Sequence, residues 1–347
     1  MSARVAVLTP YAFPSVRGNA ITVERIVRGL RGRGVDVRLW DLSAVPEAAV
    51  ERELLRIRPT LIHAFHAFRV GPLALRLARE VDASLLVTIT GTDGNHDLFD
   101  AERSGVVRQV LEAATGVTVF HESMTARLLQ VLPDLAGRIN VIPQSPVFES
   151  GDGLAARIAP RTSGATLLFP AGIRPVKNPR FPLAPLDGVA PRHPALQLWY
   201  VGPILDRDEG KALLEALRHR PWASYLGPRP HHLMRALYES AEVVLNCSLS
   251  EGGMANSVLE AFALGRAVLA SDIEGNRSLV EDGVTGLVFG SPGEFSDKVD
   301  RLLRDPGLRR RLGSAGRELI AVRFSPAREL DGYLAVYARM TPALRGA

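Results

Sequence analysis

The 347-residue chain has a single cysteine, Cys247. One thiol can neither close an internal disulfide nor furnish a cysteine-rich metal site, which fits a reducing compartment. It ends the apolar run of "VVLNCSLS" and reads as a packed core thiol rather than a nucleophile. Lysine is nearly missing too: of 42 basic residues only Lys177, Lys211 and Lys298 are lysines. The arginines behind the net charge of +5 are scattered through helical segments, not gathered with aromatics on one strip, so no nucleic-acid partner is expected. The densest basic run, "RLLRDPGLRRRLG", reads first as a solvated helix face, and second as a patch for acidic lipid or a phosphorylated substrate. No stretch approaches the roughly 20 uninterrupted apolar residues of a bilayer span. The opening "MSARVAVLTP" leads straight into a strand pattern and lacks the apolar core of a signal peptide. A cytoplasmic setting is therefore expected, with peripheral membrane contact left open. No G-x-G-x-x-G follows the first strand, which counts against a nicotinamide enzyme.

What is present is ordinary globular material, 46% apolar and 23% charged, in a chain longer than one core usually supports. Two domains are the expectation. Short apolar runs alternate with helical stretches: "RVAVLT", "VDVRLW", "TLIHAF", "SLLVTI", "GVTVF" and "INVIP" first, then "ATLLFP", "LQLWYV", "ASYLG", "EVVLNC", "RAVLAS" and "GLVFG". That rhythm predicts parallel βαβ units, an α/β chain of two doubly wound, Rossmann-like sheets. Val23, Ile26, Val27 and Leu30 recur at helical spacing, with Gly32 and Gly34 closing the helix. We place one domain at 1–150, a polar, small-residue linker at about 151–163, and a second domain at 164–325. An amphipathic helix in 326–347 either finishes the second domain or crosses back to the first. Ligands of such sheets bind beyond the carboxyl ends of the strands, so two facing domains would leave a cleft lined by loops of both.

Five loops could carry chemistry. In "SEGGMANSVLE", Glu251 lies just past a strand, and Gly252 and Gly253 let backbone approach a ligand before a helix begins. The helix's first amides and dipole favour an anion there. Asn256 and Glu260, four apart, share a face. On spacing alone, the blander account is favoured: Glu251 complements the dipole and Glu260 is a solvated helix acid. In "FPAGIRPVKNP" a stiff turn carries Arg174 and Lys177, a planar fork and a point charge suited to a diphosphate, or simply two surface cations. "PYAFPSVRGNAITVERI" ends in Gly18 and Asn19 at a helix start, a further anion or sugar contact. "IHAFHAFR" supplies His63 and His66. They lack a third metal ligand, so acid/base or hydroxyl-binding use, or packing, is preferred. In "TITGTDGNHD", Asp93 and Asn95 could hold sugar hydroxyls, although Gly91, Asp93 and Gly94 equally suit a turn.

Together these segments resemble the retaining glycosyltransferases of the GT-B fold, family 4, nearly end to end. The order "GTDGNHD", "HESM", "GIRPVKNP" and then residues 250–289 is similar in particular to the glycosyltransferase-1-domain-containing branch. The resemblance implies a hexosyl- or N-acetylhexosaminyltransferase that uses a UDP-, GDP- or ADP-sugar and needs no metal or other cofactor. The acceptor would be a small molecule, a glycan or a lipid-linked sugar. By position, Glu251 would contact the donor sugar, Glu260 the ribose, and Arg174 and Lys177 the diphosphate. Gly252, Gly253, Met254, Ala255 and Asn256 would line the donor. Gly18 and Asn19 match the first-domain loop at the donor phosphates, and His63, His66, Asp93 and Asn95 would lie on the acceptor or sugar side. The chain departs from the family twice. Eight residues separate Glu251 from Glu260 where seven are usual, and Thr90 stands where many members have histidine. A selenosugar-synthase-like transfer to a selenium nucleophile and a non-catalytic nucleotide-sugar-binding protein are the alternative readings.

Overall fold

The computed structural model describes residues 4–13, 15, 18–146, 148 and 165–341. The chain divides into two compact units, Met1–Gln144 with Pro326–Ala347, and Ser145–Ser325. The expected linker, 151–163, lies outside the described residues.

In the first unit strands and helices alternate as β1 (Arg4–Thr9), α1 (Gly18–Gly32), β2 (Asp36–Asp41), α2 (Glu47–Ile57), β3 (Leu61–Phe65), α3 (Gly71–Val81), β4 (Ser84–Thr88), α4 (Thr92–Asn95), α5 (Ser104–Ala113), β5 (Gly116–Val119), α6 (Glu122–Val131) and β6 (Ile139–Val141). All pairings are parallel, in the order β2-β1-β3-β4-β5-β6. Both faces are covered, as a parallel sheet requires. Along β1, Ala6 and Leu8 point into one apolar cluster with Ile62, Val87 and Leu54, while Val5 and Val7 point into another with Val23, Ile26 and Phe65. The stripe of α1 predicted from its spacing is the face buried there.

The second unit runs β7 (Thr166–Pro170), α7 (Leu183–Asp187), β8 (Gln197–Val201), α8 (Arg207–Leu217), β9 (Ala223–Gly227), α9 (His231–Glu239), β10 (Val243–Asn246), α10 (Asn256–Ala263), β11 (Ala267–Ser271), α11 (Glu274–Arg277), β12 (Leu287–Phe289), α12 (Pro292–Arg304) and α13 (Pro306–Arg323). Its strand order is β12-β11-β10-β7-β8-β9, again parallel throughout. The order reverses between β7 and β10, so the loops leaving those two strands diverge at a topological switch point, where open α/β sheets hold their ligands. All twelve apolar runs predicted as strands form strands, with ends shifted by a residue or so.

The last helix, α14 (Pro326–Met340), belongs to the first unit. Tyr333, Val336 and Tyr337 join the cluster that covers α1 and β1. Arg25 of α1 donates to Glu329 of α14 through Nε at 2.9 Å and Nη2 at 2.7 Å, both side chains buried. Such a pair makes up for its desolvation only when its geometry is this complete.

Candidate functional site

The loops leaving β7 and β10 are tied to each other. After β7, buried Ile173 anchors the chain by donating its amide to the carbonyl of Pro203, and Pro175–Lys177 form one tight turn ended by Asn178 in the left-handed region. After β10, the amide of Leu249 bonds the carbonyl of Val176 at 2.8 Å. That backbone link brings Lys177 Nζ to 2.5 Å from Glu251 Oε1. Asn246, the last residue of β10, donates to the same oxygen at 3.1 Å, and Ser248 Oγ does so at 2.7 Å. Burial alone would raise the Glu251 carboxyl, but the Lys177 charge and the bonds from Lys177, Ser248 and Asn246 outweigh it and hold the group below the usual carboxylate range. Glu251 is therefore a fixed anion in a built site, not a loose complement to a helix dipole.

Two glycines make this packing feasible. Gly253 sits at φ 144°, which side chains other than hydrogen rarely tolerate. Gly275, at the start of α11, faces Glu251 so closely that a Cβ there would lie 2.5 Å from the Glu251 Cβ and 2.8 Å from the Gly253 carbonyl oxygen. Next to it, Asn276 is fully buried and donates to Ser271, while Ser271 Oγ donates to the Ser248 carbonyl. The β11–α11 turn thus braces the Glu251 loop from behind. The Asn276 Oδ1 is buried with no hydrogen-bond partner among the described residues.

Helix α10 starts at Asn256, and Ala255 in the cap position offers its first turn no side-chain acceptor. Met254 and Ala255 are buried, and Gly252 and Asn256 half-buried. Val258, Leu259, Ala261 and Phe262 form the buried stripe. Glu260, read above as a solvated acid on the blander account, is itself buried, with Oε1 3.0 Å from Nε2 of His231. Arg174 is exposed beside the turn. Sequence reasoning passed over Asn246, Ser248, His231, Gly275 and Asn276. The available signal was a polar residue closing or directly following an apolar strand, as at Asn246 and Ser248.

In the first unit, Gly18 is exposed at the start of α1, and Asn19 Oδ1 is buried with no partner among the described residues. His63 fits the packing alternative among its readings. It is fully buried, with Nδ1 2.7 Å from the Tyr337 hydroxyl and Nε2 2.6 Å from Thr88 Oγ1, and Thr88 also bonds Thr118. Both ring nitrogens are engaged, so the residue packs α14 onto the sheet instead of meeting a sugar. Burial lowers its pKa to about 3, so the ring is neutral. Asp93 fits the turn alternative: its carboxylate accepts from the amides of Ala67, Thr90 and Gly91 and builds the turn after β4. Asn95 accepts from Arg127. His66 is the unusual one, a buried non-glycine residue at φ 101° directly after β3, with its ring nitrogens 3.9 Å from Asp93 and Asp97. A strained residue at a strand's carboxyl end is a common feature of functional sites.

Comparison with known proteins fits this geometry. Residues 164–305 match the family described as Glycosyl transferases group 1. The chain is 29% identical over 324 residues to glycosyltransferase 1 domain-containing protein 1 of Xenopus tropicalis, covering 91% of this chain and 92% of that one. Among solved structures, sucrose-phosphate synthase of Thermosynechococcus elongatus superposes with a TM-score of 0.81 at 19% identity, over 98% of this chain and 100% of the other. Anabaena Alr3699/HepE in complex with UDP and glucose superposes at 0.77 with 15% identity, over 97% and 99%. The fold is GT-B, and the relatives support glycosyl transfer of the group 1 kind.

Proposed function

We propose that the chain is a retaining glycosyltransferase that moves a sugar from a nucleoside-diphosphate donor to an acceptor hydroxyl. The observation that carries this reading is the meeting of Lys177 and Glu251 at the switch point of the second sheet, directly before α10. An ammonium has three donor hydrogens, so Lys177 can bond Glu251 and still reach a phosphate oxygen. Arg174, exposed beside it, adds a planar fork, and the first turn of α10 adds amides and the positive end of its dipole. Asn256 and Glu260 are one helical turn apart, roughly 6 Å along the axis, about the step from a phosphate to its ribose. Glu251, kept ionised, accepts hydroxyls of the sugar, and Glu260 accepts those of the ribose.

In this scheme the bond from the anomeric carbon to the diphosphate loosens through an oxocarbenium-like state. The acceptor enters on the same face, and the departing phosphate oxygen takes its proton. The chain's residues position the donor and stabilise the charge growing on the leaving group, which is worth ~3 kcal/mol per preorganised contact. The UDP and glucose named for the HepE complex support a nucleotide sugar as donor.

The test is a thermal-shift screen with UDP, GDP, ADP and their common sugars, followed by transfer assays that read the product's anomeric configuration by NMR. A ligand that binds only the native state raises its melting temperature. Inverted product would reject retention, and no shift with any nucleotide would reject the donor class.

A further inference from the structure

The pair His231 and Glu260 goes beyond the glutamate motif. His231 opens α9, straight after Pro230, and Glu260 lies in the middle of α10, so two helices of the second unit meet at one hydrogen bond of 3.0 Å. Both side chains are about nine-tenths buried. The imidazole is fixed from its flat side: the Phe148 ring stacks on it with centroids 6.0 Å apart and planes 4° from parallel. Phe148 in turn meets the fully buried Tyr238 ring edge-on at 6.1 Å. A carboxylate so far out of water costs free energy unless a donor meets it, and His231 supplies one. A solvated helix acid would need none. Each carboxylate has about four acceptor positions, and His231 leaves capacity for further donors.

We infer that His231, held flat by Phe148, is a positioning residue that locks Glu260 into the rotamer which accepts the ribose hydroxyls of the donor nucleotide. The inference rests on the nucleotide-sugar reading above. It assigns His231 no contact with the reacting atoms. Its contribution is preorganisation: Glu260 reaches its binding geometry before the donor arrives, so ordering it costs no affinity.

The experiment measures binding of UDP, GDP and ADP, and of their 2′-deoxy and 3′-deoxy analogues, to the wild-type chain and to His231→Ala, His231→Gln and Phe148→Ala. The wild type is expected to prefer the ribonucleotide of its best ligand about tenfold over one of its deoxy analogues, as for a hydrogen bond to a charged acceptor. H231A is expected to lose that preference, while H231Q, whose amide N–H can replace the Nε2 donor, keeps most of it. Discrimination unchanged in H231A, or lost equally in H231Q, would overturn the inference and leave the nucleotide reading standing. Should H231A fail to fold, F148A takes its place, with the preference falling about threefold; an unchanged preference there overturns the inference as well. A wild type that binds none of the nucleotides removes both readings, and one that binds without telling ribose from deoxyribose removes this one.

Discussion

Lys177 Nζ lies 2.5 Å from Glu251 Oε1, joining two loops 74 residues apart through side chains that are 18% and 9% exposed. Such a pair is asymmetric: losing one partner strands the other's charge in a poorly solvated place. Lys177 is therefore tied into the packing of the two loops, whereas Arg174 is exposed.

For Lys177→Ala we expect two separable losses. Stability falls by about 3 kcal/mol in urea unfolding, because Glu251 is left unpaired. Turnover falls about a hundredfold. Adding Glu251→Gln to the same chain restores much of the stability but none of the activity. A K177A chain as stable and as active as wild type would remove Lys177 from the site.

Arg174→Ala is expected to leave unfolding within about 0.5 kcal/mol of wild type, as for an exposed side chain. Its kcat should still drop about a hundredfold if the guanidinium stabilises the departing diphosphate. Steady-state transfer assays beside a thermal melt separate the two.

The buried bond between Arg25 and Glu329 predicts that Glu329→Leu alone costs about 3–5 kcal/mol, while Arg25→Met with Glu329→Leu recovers most of that. The comparison is a double-mutant cycle read by chemical denaturation. Equal destabilisation by the single and double variants would contradict a stranded charge as the cause.

His63 gives a pH signature. Its native pKa of about 3 lies below the ordinary value of 6.5, so between those limits the unfolded chain binds the extra proton. The stability it contributes is complete above pH 6.5 and is lost as pH falls toward 3, at up to ~1.4 kcal/mol per pH unit. Unfolding free energies of wild type and His63→Gln measured across this window should converge at acid pH. Parallel curves would show that His63 carries no such linkage.

Cys247 is buried, and burial pushes its thiol well above the ordinary range. A thiol reagent at neutral pH is expected to label the native chain only at the rate of opening, and to label it fully in denaturant. Rapid labelling of the folded protein would refute the core placement.

The sheet architecture was legible because every strand is a short apolar run between helical segments, and a parallel sheet buried on both faces demands such runs. The meeting of "RPVK" with "EGG" was an expectation of the resemblance, which put both on one donor; periodicity alone says nothing of the strand order that joins them. His63 and Asp93 stayed open between a ligand role and a structural one for a shared reason. A polar residue at or past a strand's end looks the same in sequence whether its partner is a ligand, a tyrosine 274 residues later, or the backbone of its own turn. His231 was missed because nothing local marks it; its partner lies 29 residues on, across a helix pair.

The assignment of α14 to the first unit bears on the order in which the protein takes shape. Synthesis reaches residue 325 before it makes the tyrosines that cover β1 and α1. The later half of the fold thus has its whole sequence in hand while the earlier half still waits for its last helix. Helix 326–340 acts as a delayed keystone, and a chain truncated before it would carry every residue of the second unit yet leave the first sheet uncovered, the kind of surface that chaperones recognise.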